Sequence, residues 1–247
     1  MWTRLEFKAN AKIALSRYYW VAVAVCLINS VISSAFVSVY NFVNIIGTTI
    51  IEISQNSYGQ ASQGTFNYLL VFLYIVCIIF AIFVATPLSV GLSRYFMESR
   101  TQRSDIGTLF YAFKNGRYSK ILKVTFIWTI KIFLWSLLLI IPGIIKTYEY
   151  CFVPYILAEN PDLETKRYFE ISKAMTNNEK AKIFVMWLSF IGWILLGMLL
   201  CGIGTIFVVP YFYATYAEMY AFMRAKAFAY NFATPEELPD FLPQQFF

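Results

Sequence analysis

The sequence predicts an all-α membrane protein, a bundle of about six transmembrane helices built as three hairpin repeats with amphipathic helices on the cytoplasmic side. Composition is the first reason. Of the 247 residues, 59% are hydrophobic and 14% are charged, whereas an average soluble domain is about half apolar and a quarter charged. The second reason is a series of membrane-length apolar stretches, and the third is a proline that recurs in three of them.

The apolar stretches give the predicted spans, because a transmembrane helix needs roughly 20 mainly apolar residues. A Pro-Gly pair separates the third stretch from the fourth, and a Cys-Gly-Ile-Gly sequence separates the fifth from the sixth, as turn signals should. The fourth stretch is short for a full crossing, and a polar loop is predicted over 44–67. The six stretches are 19–43, 68–92, 123–141, 143–158, 183–200 and 203–223.

The recurring proline suggests one repeated unit, because each copy has a small residue four positions later. Proline frees a helix carbonyl and often bends the helix, while a small residue lets helices approach closely. We interpret the pairs as kink and packing positions, with a central cavity between bent helices as the alternative. The repeats cover about 1–96, 97–159 and 160–226 of a single domain, 1–232, before a proline-rich cytoplasmic tail, 233–247. The pairs are Pro87 with Gly91, Pro154 with Ala158, and Pro210 with Ala214.

The charges predict the orientation. Of the 20 basic residues, 18 lie in the segments 4–17, 94–123, 166–182 and 224–226, while the loop 44–67 carries Glu52 and no basic residue. The positive-inside rule therefore places both termini and the basic loops in the cytoplasm. We expect anionic lipid headgroups as the counter-charge rather than nucleic acid.

The basic segments have helical patterns. Thr3 and Glu6 have the spacing of a capping box, the residues after Ser104 form an apolar face at helical intervals, and Asn160-Pro161 is typical of a helix start. We expect these three helices to lie on the cytoplasmic leaflet.

Five ionisable residues fall within or beside the predicted spans, where charges are costly and often functional. We consider a proton or substrate relay, but snorkelling lysines and one structural ion pair between Arg94 and Glu218 explain the set more simply. The five candidate intramembrane polar residues are Arg94, Lys131, Lys146, Glu149 and Glu218.

Catalysis has little support in the sequence. The chain contains no histidine, and its four cysteines stand singly inside apolar stretches. We therefore predict no enzyme, no metal and no cofactor, although Glu149 and Glu218 are the two acids that a lipid-processing enzyme would use. The tyrosines after Pro210 belong to an aromatic belt or line a site for an amphipathic ligand.

Four segments of the chain have a pattern found in a known family. They are Pro87-Leu-Ser-Val-Gly-Leu-Ser-Arg-Tyr-Phe-Met, Leu138-Leu-Ile-Ile-Pro-Gly-Ile, Val153-Pro-Tyr-Ile-Leu-Ala-Glu-Asn-Pro-Asp and Leu188-Ser-Phe-Ile-Gly-Trp-Ile-Leu-Leu-Gly. They resemble the bacterial membrane-protein family called domain of unknown function 975. The resemblance covers about residues 1–223. It implies a multi-pass protein of the bacterial cytoplasmic membrane, distantly similar to the membrane domain of some glycerophosphodiester phosphodiesterases. It implies no activity and no functional residues.

The function predicted from these observations is non-enzymatic binding of lipid or of a membrane-protein partner, in maintenance of the cell envelope. Its basis is a set of basic amphipathic helices beside a bundle without catalytic motifs. The alternative is a small transporter or export-accessory protein that uses a cavity between proline-bent helices.

Overall fold

The protein is all-α, as predicted. The computed structural model describes residues 2–58, 61–102, 104–114, 116–199 and 202–239. Helix accounts for 82% of the chain, and no strand occurs among the described residues. A π-helical turn at Ala81–Ala85 and a 3₁₀ helix at Ile106–Phe113 interrupt the α-helices. The α-helices are α1 (Arg4–Ser16), α2 (Tyr19–Tyr58), α3 (Ala61–Phe80), α4 (Thr86–Glu98), α5 (Tyr118–Leu138), α6 (Ile140–Glu149), α7 (Val153–Glu159), α8 (Thr165–Thr176), α9 (Lys180–Leu199) and α10 (Ile203–Ala229).

Two helices in the described part of the chain, α5 and α9, are long and apolar enough to cross a membrane. A third span is possible if α1 and the first part of α2, which are bent by 98° relative to each other, count as one crossing. The predicted fourth stretch, 143–158, differs from expectation. The chain divides it between α6 and α7, and α6, with 10 residues, is about 15 Å long.

The predicted loop over 44–67 was wrong for most of its length, because α2 continues to Tyr58 and α3 begins at Ala61. Local hydrogen bonding explains part of the difference. The hydroxyls of Thr48 and Thr49 both donate to the carbonyl of Ile45 at 2.9 Å, so polar side chains are satisfied without breaking the helix. Residues 59 and 60 lie outside the described residues.

The start of α1 confirms the capping box. The Thr3 backbone N–H donates to Glu6 Oε2 at 2.9 Å, and the Glu6 N–H donates to Thr3 Oγ1 at 3.4 Å. The rings of Trp2 and Phe7 stack with their centroids 5.0 Å apart. These contacts fix both the first residue and the direction of the helix.

The other two amphipathic segments differ from their predicted form. The segment after Ser104 is a 3₁₀ helix capped by Asp105, rather than an α-helix. The later helix, α8, begins at Thr165 and not at Pro161, since Asn160 ends α7 and its side chain accepts from the Asp162 N–H at 2.9 Å. Asn160 has the extended backbone expected of a residue before proline, so the chain turns before α8 starts.

The buried core forms where the three proline-bearing segments meet. Rings from α4 and α10, Phe96 and Tyr213, stack at 5.6 Å, and rings from α7 and α10, Tyr155 and Tyr220, stack at 5.3 Å. Arg94 Nη1 on α4 donates to the Ala158 carbonyl on α7 at 2.7 Å. The prolines therefore mark the elements that build the centre of the protein.

Large apolar side chains are exposed away from this core, along α3, where α5 turns into α6 and towards the end of α9. Leu137 is 73% exposed and Leu199 is 80% exposed. Exposed apolar surface on this scale is costly in water and typical of contact with lipid. Gly143 is packed against Ser136, which lets α6 lie close to α5 at this end of the hairpin.

The first part of the tail packs against the body instead of extending away from it. Leu238 is fully buried, and its carbonyl accepts from Arg224 Nη2 at 2.5 Å. Arg167 Nε and Glu237 Oε1 form an ion pair at 2.6 Å. Residues 240–247, the rest of the predicted tail, lie outside the described residues.

Candidate lipid-binding site

A groove lies between the start of α1 and the first half of α9. Its volume is about 560 Å³, within the range typical of small-molecule sites. The helix α9 contributes positions four residues apart, so they form one stripe. The lining residues are Trp2, Thr3, Arg4, Leu5, Lys8, Ala181, Lys182, Val185 and Ser189.

The groove combines an apolar wall with a basic rim. Trp2, Leu5 and Val185 supply the wall, while Arg4 and Lys8 bring positive charge to it. Leu5 is 79% exposed, so an apolar ligand there would remove from water surface that is now uncovered.

Packing of α1 explains why these residues face the groove. Phe7, Ala11, Ala14 and Leu15 are the buried face of α1, and α1 packs mainly on α10. The basic residues are left on the remaining surface of the helix. Because α1 is bent 98° away from α2, it does not continue the direction of that helix.

Glu179, which precedes α9, holds one side of the groove in place. Its Oε2 accepts from Trp2 Nε1 at 3.2 Å and pairs with Lys182 at 2.9 Å, while its Oε1 pairs with Lys226 at 2.9 Å. Burial alone would raise the pKa of Glu179, but the hydrogen bonds from Lys182 and Lys226 outweigh it and hold the pKa below its ordinary value. Glu179 therefore remains charged and ties α1, α9 and α10 together.

Arg4 and Lys8 differ from the other groove cation, Lys182, because neither has a carboxylate partner among the described residues. Burial, together with the positive charges of Arg4 and Lys12, lowers the pKa of Lys8. The Lys8 ammonium lies 4.4 Å from the centroid of the Phe190 ring, a cation–π contact. An anion bound between Arg4 and Lys8 would relieve the repulsion between them.

Three of the predicted polar residues lie together outside the groove. Glu149 pairs with Lys146 and with Lys180, each at 2.8 Å. Lys131 lies 3.7 Å from the centroid of the Phe169 ring and 5.9 Å from that of Tyr150. The cluster connects α5, α6, α8 and α9. It provides two cationic partners for the carboxylate of Glu149, whose side chain is 3% exposed.

The other two predicted polar residues have different partners from those expected. Glu218 accepts from Arg100 Nε at 2.9 Å and from Arg100 Nη2 at 3.1 Å, a bidentate pair. Arg94 pairs with Glu98 at 2.8 Å on its own helix. The partner of Glu218 thus lies two residues beyond the end of α4, six residues after the predicted Arg94.

The three predicted prolines occupy different positions within their helices. Pro87 and Pro154 lie in the first turns of α4 and α7, whereas Pro210 lies inside α10. Pro87 has no N–H for the carbonyl of Phe83, four residues earlier. The Tyr118 hydroxyl donates to that carbonyl at 2.8 Å, and the π-helical turn occurs at the same place.

The small residues beside these prolines all pack in the interior. An alanine Cβ at Gly91 would overlap the Leu109 carbonyl oxygen. Ala158 is fully buried, and Ala214 is almost so.

The groove between α1 and α9 was not predicted, although the sequence contains one signal for a basic helix face. Arg4, Lys8 and Lys12 recur every four residues on α1, which places them on one helix face.

The described residues include no group of three or more His, Cys, Asp or Glu side chains arranged to hold a metal ion.

A comparison with known protein families tests the resemblance described from the sequence. Residues 136–227, from the end of α5 to near the end of α10, match the model of the family described as "Protein of unknown function (DUF975)". The resemblance to this family is therefore confirmed over residues 136–227 of the chain. The match includes the α6–α7 segment with Pro154 and the hairpin of α9 and α10 with Pro210. No curated protein and no solved structure matches the chain, and similarity to the glycerophosphodiester phosphodiesterase membrane domain stays a prediction.

Proposed function

We propose that this protein is a non-enzymatic integral membrane protein that binds anionic phospholipid in the groove between α1 and α9, as part of envelope maintenance. The observation that carries the proposal is the pair of cations, Arg4 and Lys8, beside an apolar wall. Both lack a carboxylate partner within the described residues, while nearby Lys182 has one.

The groove fits the two parts of a phospholipid. A phosphodiester lies at Arg4 and Lys8, close to the N-terminal end of α1, where the helix dipole also favours negative charge. Acyl chains extend along Leu5 and Val185, which already expose apolar surface. A basic residue near a membrane surface contributes about 1 kcal/mol to the attraction of anionic lipid.

The proposed topology is six spans in three hairpins, with both termini and the groove in the cytoplasm. Its support is the order of elements: α1, the 3₁₀ helix and α8 each precede a helix pair. The first two pairs lead into α4 with Pro87 and α7 with Pro154, whereas Pro210 lies within the second helix of the third pair. In this proposal α6 and α7 together form the fourth span, broken at 150–152. Broken helices occur at membrane depth where protein covers them.

Reporter insertions test this topology at two turns with positive φ. Asn178, with φ 60°, separates α8 from α9, and Gly202, with φ 79°, precedes α10. Green fluorescent protein inserted at Asn178 is expected to fluoresce, and alkaline phosphatase inserted at Gly202 is expected to be active. The reciprocal insertions serve as controls. Phosphatase activity at Asn178 would contradict the three-hairpin arrangement.

Removal of the two cations tests lipid binding. The double variant Arg4→Gln/Lys8→Gln is expected to weaken binding of short-chain phosphatidylglycerol roughly 30-fold, because two contributions of about 1 kcal/mol each are lost. Binding is measured by titration of the purified full-length protein in a neutral detergent. Phosphatidylcholine of the same chain length is the reference ligand.

Lys166→Gln is the matched control, since Lys166 is an exposed lysine on α8 whose side chain is 79% accessible. It is expected to leave phosphatidylglycerol affinity unchanged. Equal affinity of the wild type for the two lipids would reject the proposed anionic ligand. An equal loss in the Lys166→Gln variant would reject the groove as its site.

A further inference from the structure

A second cavity lies inside the helix bundle, between α2, α9 and α10. Its volume is about 320 Å³, at the lower end of the range for ligand sites. It shares no lining residue with the groove at α1. The lining residues are Cys26, Asn29, Ser30, Trp187, Ile194, Val208, Val209, Phe212 and Tyr213.

One polar atom in this cavity has no partner within the described part of the chain. Asn29 Oδ1 is shielded from solvent and accepts no hydrogen bond. Leaving such an acceptor unsatisfied costs about 1–3 kcal/mol, and buried polar groups in proteins are nearly always paired. The atom therefore points to a hydrogen-bond donor that occupies the cavity.

The remaining lining defines what kind of donor fits. Among the described residues, no Lys, Arg, Asp or Glu lines the cavity, so a phosphate or an ammonium group would enter without a counter-charge from them, at high cost. Aromatic and aliphatic side chains form most of the wall, with Ser30 and Cys26 as further weak polar contacts. An uncharged hydroxyl carried on an apolar body matches this surface.

The position of the cavity indicates where such a molecule comes from. Trp187 and Ile194 lie in the middle of α9, one of the two span-length helices. Trp187 is 39% exposed, and neighbouring Leu195 and Leu196 are each 56% exposed on the same helix. A ligand in the cavity is thus reached from the lipid phase rather than from water.

We propose that this cavity binds the hydroxyl end of an uncharged lipid alcohol, with the hydroxyl donating to Asn29 Oδ1 and the apolar body lying against Trp187 and Phe212. Diacylglycerols and polyprenols share this chemistry. The site is independent of the anionic-lipid groove, and either can exist without the other.

The test uses the full-length protein in nanodiscs with a diacylglycerol that carries a diazirine on one acyl chain. Photolabelling is expected on peptides of α2, α9 and α10, and excess dioleoylglycerol or undecaprenol competes separately to distinguish the two sources. Trioleoylglycerol, which has no hydroxyl, is expected not to compete. Phosphatidylglycerol is likewise expected not to compete, which separates this site from the groove.

Two variants localise the effect. Asn29→Leu removes the acceptor and Val208→Phe fills the cavity, and each is expected to reduce labelling at least tenfold. Ser34→Ala, which removes an exposed hydroxyl from the same helix, is the control and is expected to label like the wild type. Each variant is first checked for an unchanged gel-filtration profile.

Competition by trioleoylglycerol equal to that by dioleoylglycerol would overturn the proposal, because the contact would then be ordinary lipid packing. Undiminished labelling in both folded variants would overturn it too. An absence of labelling on all three helices would mean that water alone satisfies Asn29.

Discussion

Replacement of Gly91 by alanine is expected to lower the unfolding free energy by about 3 kcal/mol, the upper end of the usual range for overpacking. The new Cβ would overlap the carbonyl oxygen of Leu109 and lie 2.6 Å from its carbonyl carbon. Neither atom can rotate away, because both belong to the backbone of the 3₁₀ helix. The variant is measured by SDS-titration unfolding in mixed micelles.

The 3₁₀ helix cannot shift easily to make room. Leu109 is fully buried, and Glu98 Oε2 on α4 accepts from the hydroxyls of Ser104 at 2.8 Å and Thr108 at 3.3 Å. Movement of the segment away from Gly91 would stretch these bonds and open the core.

Gly192→Ala is the matched control, because nothing lies within 4 Å of a Cβ built at that glycine of α9. It is expected to leave stability unchanged or to raise it by up to about 1 kcal/mol, the helix-propensity difference. A loss of stability in Gly192→Ala equal to that in Gly91→Ala would show that close packing at Gly91 is not the cause.

Much of the fold could be predicted because the sequence signals involve residues that are close to each other along the chain. The capping box of α1 depends on residues three apart. α10 starts at the first residue of its predicted apolar stretch, and α9 starts three residues before the first residue of its own. The predicted loop over 44–67 failed for a related reason. Polar composition indicates a loop only when the backbone must leave the helix, and hydroxyls that bond one turn back remove that need.

The candidate groove was less predictable because it depends on pairing through space. Arg4, Lys8 and Lys182 are all basic residues near helix starts, and the sequence treats them alike. Glu179 and Lys182 are only three residues apart, but the folded chain is needed to show that Glu179 also binds Trp2 and Lys226. It is needed equally to show that Arg4 and Lys8 have no carboxylate partner among the described residues. The same limit applies to Glu218, whose partner is Arg100 and not Arg94.

The three prolines show what a recurring residue in the sequence can reveal about the fold and what it cannot. All three lie in elements that contribute to the buried core, yet Pro87 and Pro154 lie in the first turns of α4 and α7, whereas Pro210 lies inside α10. A proline in a helix leaves the carbonyl four residues earlier without its usual N–H partner, and that carbonyl needs another donor. At Pro87 a partner for that carbonyl comes from Tyr118, 31 residues along the chain, which spacing around the proline could not reveal.

A buried ion pair links α7 to α10 and to the tail. Arg224 Nε pairs with Glu159 Oε1 at 2.7 Å, and their side chains are 7% and 0% exposed. The second oxygen of Glu159 accepts from the Tyr220 hydroxyl at 2.6 Å. Arg224 also donates to the Leu238 carbonyl, so one guanidinium holds three segments together.

Arg224→Met is therefore expected to lower the unfolding free energy by about 3 kcal/mol, because removing one partner of a buried ion pair is strongly destabilising. SDS titration measures the loss, and limited proteolysis should cut the tail near Leu238 faster than in the wild type. The double variant Arg224→Met/Glu159→Gln is expected to recover part of the lost stability, since the buried carboxylate charge is removed together with the guanidinium, but not the protection of the tail. Arg17→Met, at an exposed arginine, is the control and should match the wild type. If the double variant were as unstable as Arg224→Met, the cause would be lost packing and lost hydrogen bonds of the arginine itself, not the charge of Glu159.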